Sequence, residues 1–484
     1  MAATYVGSFK ASLKNDKGDR MATLIWGDPV HVIDASADPV RVRARGWFGW
    51  LEAEALSEQS VLEVYVIDVG QGDAILVRTP DDAWHLIDAG APGSFQMTRK
   101  GAANFIRWKF QEDLRREKIS LANVLVTHHD FDHYGGLLDV LGERLADGRT
   151  FDVEVESFYH NGLGIFRSAP TMGEVTDGVV DPFPQGEHGI DREGTFVTEL
   201  LDGKESFSDP PRELGVTFGR YAANVGQVPR NVRRLSHLDG HLPGYAPGDG
   251  DVAIRVLGPV VERLGDGTVG LRKLGSEAVT RNGHSIVLRL DYGRARILLT
   301  GDLNSKSHKL LLSYHPGEEF AVDVAKACHH GAEDVELEFL EAMRPRATVI
   351  SSGDNESHAH PRPMLIGASG RYGREAKDPR DRRLPPLVYS TELARSVDLG
   401  FASALRVKVA GSSPKPVPVE GTEVRVGDTA TRYRPVGSTP MSSDLVYGLV
   451  NIRTDGTHVL CATMKEAGRD FDVQVFKAGE DVDT

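Results

Sequence analysis

The sequence has only two cysteines in 484 residues, Cys328 and Cys461, and they form no CxxC pair. That excludes a disulfide framework and a cysteine-based zinc ribbon. No apolar run approaches the ~18 residues that a membrane span needs. The first ten residues lack the basic-then-apolar pattern of a signal peptide. Both absences lead us to expect a soluble, cytoplasmic chain. Positive charge is also scarce, with 56 Lys plus Arg against 70 Asp plus Glu and a net charge of −14. This balance excludes a protein whose whole surface is a basic nucleic-acid footprint. It leaves room for a basic groove on an acidic body, because the field that matters is local. The hydrophobic fraction of 40% is ordinary for a globular protein and too high for wholesale disorder. At roughly 150 residues per domain, the length predicts about three domains.

Residues 1–60 read as short strands at 23–26, 30–33, 40–44 and 46–51 with turn residues between them, the pattern of a small β-barrel. The strongest strand signals follow at 62–69, 74–78 and 84–87. The first ends at Gly70-Gln71-Gly72-Asp73 and the last at Asp88. Residues 98–118 suit an amphipathic helix with Phe105, Trp108 and Leu114 on one face. A short buried strand is expected at 124–126. A second hairpin of similar build, 286–290 and 297–299, again ends in an aspartate, Asp302. This weak duplication suits a fold of two related halves. Residues 160–280 are rich in Gly, Pro and charge and read as loops, an insertion long enough to cover a site. Residues 405–435 and 445–478 read as strands, with a hairpin turn at Asp455-Gly456.

One stretch concentrates chemistry. Thr127-His128-His129-Asp130-Phe131-Asp132-His133 follows the buried strand and precedes Gly135-Gly136. His128, Asp130, Asp132 and His133 are four candidate ligands for a hard or borderline divalent ion. Alternation aims residues 128, 130 and 132 at one point and sends His129 to the other face. The glycines let the backbone bend tightly into the next helix.

The cluster resembles the metallo-β-lactamase-fold signature His-x-His-x-Asp-His, with the second His replaced by Asp130. That variant is similar to the soluble metallohydrolase domain of the ComEC competence (DNA-uptake) family. Further motifs follow in the same order: "VIDVGQGDAILV" with "HLIDAG", "NGHSIVLRLDYGRARILLTGDL", "AKACHHGAEDVELEFLEAMRPRATVISSGDN" and "HAHPRP". The resemblance implies an α/β fold, an αββα sandwich over 61–385 with an insertion at about 160–280. Before it, "LIWGDPVHVID", "VRVRARG" and "GWFGWLEAEAL" resemble a bacterial Src-homology-3-like domain over 1–60; after it comes a β-rich segment over 386–484. Two departures stand out. The membrane channel of the competence proteins is missing from the sequence, so import across a membrane is not expected. Arg362 stands where the closing motif often has a second His.

The resemblance also implies two metal ions. His128 and Asp130 would hold one, Asp132 and His133 the other, with Asp302 bridging. His329 or His330 would complete the second set; His330, which abuts Gly331, is preferred. The first ion lacks an obvious third His. His160 is the candidate, the alternative being a polar residue satisfied at a strand end. Asp68 and Asp73 would stand behind the ligands, or Asp73 would cap a turn. Zn²⁺ is the first choice of ion, and the added carboxylate makes Mn²⁺ the alternative. Such an ion brings the pKa of a bound water near 7 and gives hydroxide at neutral pH. Asp132 and His360 are the catalytic candidates, His360 as a phosphate contact or leaving-group acid. Asn282, Ser285 and Arg362 are the substrate-binding candidates, the first two alternatively forming only a turn.

These expectations define a metal-dependent hydrolase, first of all a phosphodiesterase or nuclease acting on nucleic acid. Arg362, Arg371, Arg374, Arg380, Arg382 and Arg383 would form a basic groove, or a solvated loop with the interleaved acids. The alternative is a small-molecule hydrolase acting on a cyclic nucleotide, a phosphorylcholine ester or a lactam-like amide. A third reading is an effector subunit docked to a protein partner through the N-terminal barrel.

Overall fold

The computed structural model describes residues 4–95, 101–142, 152–184, 188–353, 359–391, 449–465 and 470–480, together with short strand segments between 398 and 443. Two sheets face each other. The first has nine strands in the order Asn231–Arg234, Val153–His160, Ile119–Leu125, Trp84–Ile87, Ile75–Arg78, Leu62–Val66, Val450–Thr454, His458–Lys465 and Asp470–Lys477. The second has six: Val252–Gly258, Val287–Tyr292, Ala295–Leu299, Val324–Lys326, Ala347–Ile350 and Leu387–Ser390. The apolar runs seen in the sequence supply the layer between them. Val64, Val66, Ile75, Val77 and Leu125 from one sheet meet Ile254, Leu288, Leu290, Ile297 and Val349 from the other.

Helices cover both outer faces. Ala102–Arg107, Leu137–Val140 and Val216–Gln227 pack on the nine-stranded sheet through Ile106, Leu137, Phe218 and Tyr221. Ser305–Tyr314, Leu337–Met343 and Pro363–Tyr372 pack on the six-stranded sheet through Leu310, Phe339 and Leu365. The architecture is the expected αββα sandwich, a metallo-β-lactamase fold. The helix expected over 98–118 is shorter: Ala102–Arg107 widens into a π-helical turn, Trp108–Asp113, and residues 96–100 lie outside the described residues.

Residues 4–57 form a seven-stranded antiparallel arrangement with its own core of Val6, Leu13, Leu24, Val42 and Leu51. A buried charge network fastens it to the nine-stranded sheet. Arg453 Nη2 lies 2.8 Å from Asp28 and 3.6 Å from Glu63, while Arg78 Nη1 lies 2.8 Å from Glu63.

Two stretches differ from their sequence reading. Residues 160–280 are not mainly loop. They contain a four-stranded antiparallel sheet (Val175–Val179, Glu193–Val197, Val269–Arg272, Glu262–Arg263), the helix Val216–Gln227 and a strand of each main sheet. These strands are short and interrupted by glycine, and two of them are joined by a buried bidentate pair, Arg272 to Glu262 at 2.7 and 2.8 Å, which no periodicity reveals. At the C-terminal side, Leu387–Ser390 edges the six-stranded sheet and the strands from Val450 to Lys477 complete the nine-stranded one. The sandwich therefore extends beyond residue 385. Asp455-Gly456 does sit in the turn between Val450–Thr454 and His458–Lys465.

Candidate metal centre

The site lies along one edge of the sandwich, where strands of both sheets end. Asp88 follows Trp84–Ile87, the His128–His133 run follows Ile119–Leu125, Asp302 follows Ala295–Leu299, and His329 and His330 follow Val324–Lys326. Strand Ile75–Arg78 runs antiparallel to Trp84–Ile87, so Asp73, just before it, reaches the same edge. Glycines permit the close approach of the loops. A Cβ on Gly72 (φ +107°) would fall 1.9 Å from the Asp132 carbonyl oxygen, and one on Gly136 would fall 2.0 Å from that of Ala89.

Asp73, His133, Asp302 and His330 converge, all buried, with one ligand atom of each within 4.8 Å of the others. His133 Nε2 is 3.2 Å and His330 Nε2 3.1 Å from Asp302 Oδ2. Asp132 joins from the rim, its Oδ2 3.5 Å from His330 Nε2. On the other flank of Asp302 stand His128 Nε2 at 4.0 Å and His329 Nε2 at 3.8 Å, with Asp130 Oδ2 3.9 Å from His128 Nε2. Both histidines of the His329-His330 pair reach Asp302 because their backbones are left-handed, with φ of 46° and 52°. Such conformations cost non-glycine residues on the order of 1–3 kcal/mol and gather at functional sites.

Supporting groups fix these side chains. The Asp88 carboxylate accepts from Thr127 N (2.7 Å), Thr127 Oγ1 (2.6 Å) and His133 Nδ1 (2.8 Å), which leaves His133 Nε2 aimed at Asp302. The Ser351 carbonyl does the same for His330 Nδ1 at 3.1 Å. Lys326, fully buried, contacts Asp73, donates to the Gly301 carbonyl (2.8 Å) and lies 3.5 Å from Asp302 Oδ1. Burial opposes ionisation of Asp302, yet His133, His330 and Lys326 hold its carboxyl well below the usual range. Burial likewise opposes charging His133 and His330, but Asp302 with Asp88, Asp132 and Asp73 raises both well above an ordinary imidazole. His128 goes the other way, lowered by burial and by His133.

The residues fit a bound cation. His128 Nε2, Asp73 Oδ1 and Asp302 Oδ1 are buried in this one cluster without a hydrogen-bond partner, and buried polar atoms are normally satisfied. The donor mixture of imidazole and carboxylate suits Zn²⁺ or Mn²⁺.

Other expected residues are placed differently. His160 is held away from the cluster: its Nε2 meets the Asp202 carbonyl at 3.0 Å and its Nδ1 accepts from Gly162 N at 3.1 Å. Both ring nitrogens are thus used by backbone. Ser285 is fully buried rather than at a mouth; its Oγ accepts from Asp302 N (3.0 Å), donates to the Asn282 carbonyl (2.8 Å) and lies 3.3 Å from His128 Nδ1. Asn282 is also in the wall, its amide donating to Asp130 Oδ2 at 2.9 Å, with its other amide atom 3.4 Å from His329 Nε2. His360 stands at the rim, its ring 5.6 Å from that of His329. Arg362 is half-buried at the start of Pro363–Tyr372, its N–H bonded to the Gly331 carbonyl at 2.9 Å. Asp68 receives the Gly70 N–H at 3.2 Å. His129 points away, toward the Leu163 carbonyl and Tyr221.

Three of the six arginines expected to form a groove are engaged within the molecule. Arg374 donates to the carbonyls of Arg344 and Val322, Arg382 pairs with Asp378 at 2.7 Å, and Arg383 lies 3.5 Å from Glu375. Arg281, not singled out in the sequence, brings a guanidinium to the site, its Nε 2.7 Å from Asp130. Lys326 and Asp88 were missed as well. Their signals were present: a lysine three residues before His329-His330, and an aspartate ending the first hairpin as Asp302 ends the second.

The profile described as "Metallo-beta-lactamase superfamily" matches residues 67–205, which include Asp73, Asp88 and the His128–His133 run. Two curated proteins are similar over a shorter stretch. ComE operon protein 3 of Bacillus subtilis (strain 168) is 29% identical over 97 residues, 20% of this chain and 12% of that protein. Competence protein ComA of Neisseria gonorrhoeae is 35% identical over 92 residues, 19% of this chain and 13% of that protein. The match therefore spans about an eighth of the length of each relative. Among solved structures, Zn(2+)-bound PqqB from Methylobacterium extorquens aligns at 11% identity with a TM-score of 0.28, covering 59% of this chain and 88% of that one. The chain carries a metallo-β-lactamase superfamily domain.

Proposed function

We propose that the chain is a metal-dependent phosphodiesterase, with nucleic acid the first substrate class to test. The observation that carries this reading is the set of three buried ligand atoms without a hydrogen-bond partner, on Asp73 and Asp302 of the Asp/His cluster and on His128 beside it. Asp73, Asp132, His133, Asp302 and His330 would hold one ion. His128, Asp130 and His329 would share Asp302 with a second, His329 taking the place expected of His160. A divalent ion there supplies Lewis acidity and acidifies water at neutral pH. The chain's own groups do the rest. Asp88 and Ser351 keep the two imidazoles oriented. Lys326 holds Asp73 and Asp302 in place and offsets part of their charge. Arg281, anchored on Asp130, presents its guanidinium to a phosphate entering the site. His360, at the rim beside His329, is positioned to give a proton to the departing oxygen.

The test is hydrolysis of bis(p-nitrophenyl) phosphate and a DNA and RNA panel with Zn²⁺ or Mn²⁺. Cleavage by the wild type and at least a ~100-fold loss in Asp132→Ala supports the reading, in line with the worth of one charge-stabilising group. An inert, metal-loaded wild type contradicts it. A second reading, a hydrolase of small phosphodiesters, is favoured by the internal pairing of Arg374, Arg382 and Arg383. Turnover of the small ester with no cleavage of DNA or RNA selects it.

A further inference from the structure

A cavity of about 560 Å³ opens between the N-terminal strands, the helical segment Ala102–Asp113 and the nine-stranded sheet. None of its walls belongs to the proposed ligand set. The volume falls in the range of small-molecule sites, about 300–1,000 Å³. Tyr65, Phe105, Trp108 and Trp47 line it. Tyr65 and Asn451 are directly paired across adjacent strands, so their side chains rise from the same face of the sheet. Asn451 also lines the cavity and is 1% exposed, yet neither its amide nitrogen nor its amide oxygen has a hydrogen-bond partner. Leaving buried polar groups unsatisfied is unfavourable unless a ligand completes them.

An amide presents a donor and an acceptor side by side. Their complement is a planar ring edge carrying an acceptor beside a donor, the edge through which asparagine reads adenine in a bidentate manner. Aromatic walls suit the two faces of such a ring. The cations at the cavity are already used: Lys109 on Asp113 at 2.7 Å and Arg45 on Asp28 at 2.8 Å. The cavity thus favours an uncharged ring over a phosphorylated one. We propose that it binds a planar nitrogen heterocycle of the adenine class, anchored by Asn451 and flanked by the aromatic side chains.

Calorimetric titration of the intact protein with adenosine and with purine riboside, which keeps the ring but lacks the amino group, tests this. Adenosine should bind about 10-fold or more tighter than purine riboside, the worth of a bidentate contact, and Asn451→Leu should remove that difference. Met464→Trp, which fills the cavity from another wall, should abolish binding of both. No adenosine binding by the folded wild type overturns the proposal, as does equal affinity for the two nucleosides. Retained binding in Met464→Trp overturns its location. The wild-type comparison stands even where a variant fails to fold.

Discussion

Asp88 is not in the proposed ligand set, yet its carboxylate fixes which nitrogen of His133 faces Asp302. Asp88→Asn should lower Zn²⁺ affinity about 10–100-fold, measured by competition with a chromophoric chelator, while far-UV circular dichroism stays native. Lys326 acts on the same cluster as an internal cation. Lys326→Met leaves Asp73 and Asp302 uncompensated. It should cost about 3–5 kcal/mol of metal-free stability, and divalent metal should stabilise the variant more than the wild type. Urea unfolding with chelator and with metal reads both. At this scale much was legible in the sequence: the spacing of His128, Asp130, Asp132 and His133 singled out one site. The side chains that orient them were not, because a carboxylate behind a ligand has no spacing rule of its own. The reach of His329 was hidden by its left-handed backbone, which no alternation rule anticipates.

At the scale of elements, the strands at 62–66, 75–78, 84–87 and 287–299 could be read from short apolar runs, because both sheets bury one face between them and the other under helices. Pairing between distant segments could not. Val450–Thr454 lies against Leu62–Val66, and Arg453 carries the N-terminal strands with it through Asp28 and the Trp26 carbonyl. Arg453→Met should strand Asp28 and Glu63 in the interior and cost about 3–5 kcal/mol. Chemical denaturation measures the loss, and limited proteolysis should show residues 4–57 released first. A variant as stable as the wild type would remove this network from the account of how the two parts hold together.

For the molecule as a whole, buried histidines set an acid limit. Burial pushes His85 and His284 down to about 4 and His308 to about 3, so they are neutral when folded. Unfolded, they protonate below about 6.5. The unfolded state then binds more protons, and stability falls as pH drops from 6.5 toward 4. His133 and His330, raised in the fold, oppose this only near pH 6.5, where their unfolded forms are half charged, and carboxylates lowered in the fold, such as Asp302, add to the loss as the pH nears 4. Between pH 6.5 and 5, each of the three histidines should remove about 2 kcal/mol, read as a falling urea midpoint in chelator. A midpoint unchanged over that window contradicts it. The net charge of −14 also acts at this scale. With several arginines paired within the molecule, attraction of a polyanion would rest on few groups, Arg281 and the ions the site would hold, so if nucleic acid is the substrate its cleavage should weaken with salt along a shallow slope.

The central claim is that the Asp/His cluster at the sandwich edge is a metal centre. Metal content per chain, measured by plasma mass spectrometry after loading with Zn²⁺ or Mn²⁺ and gel filtration, tests it most directly. The account predicts at least one tightly held ion and about two at full loading, with His133→Ala and Asp302→Asn folded but depleted. A folded wild type that retains no divalent metal, or variants that retain as much as the wild type, would contradict it.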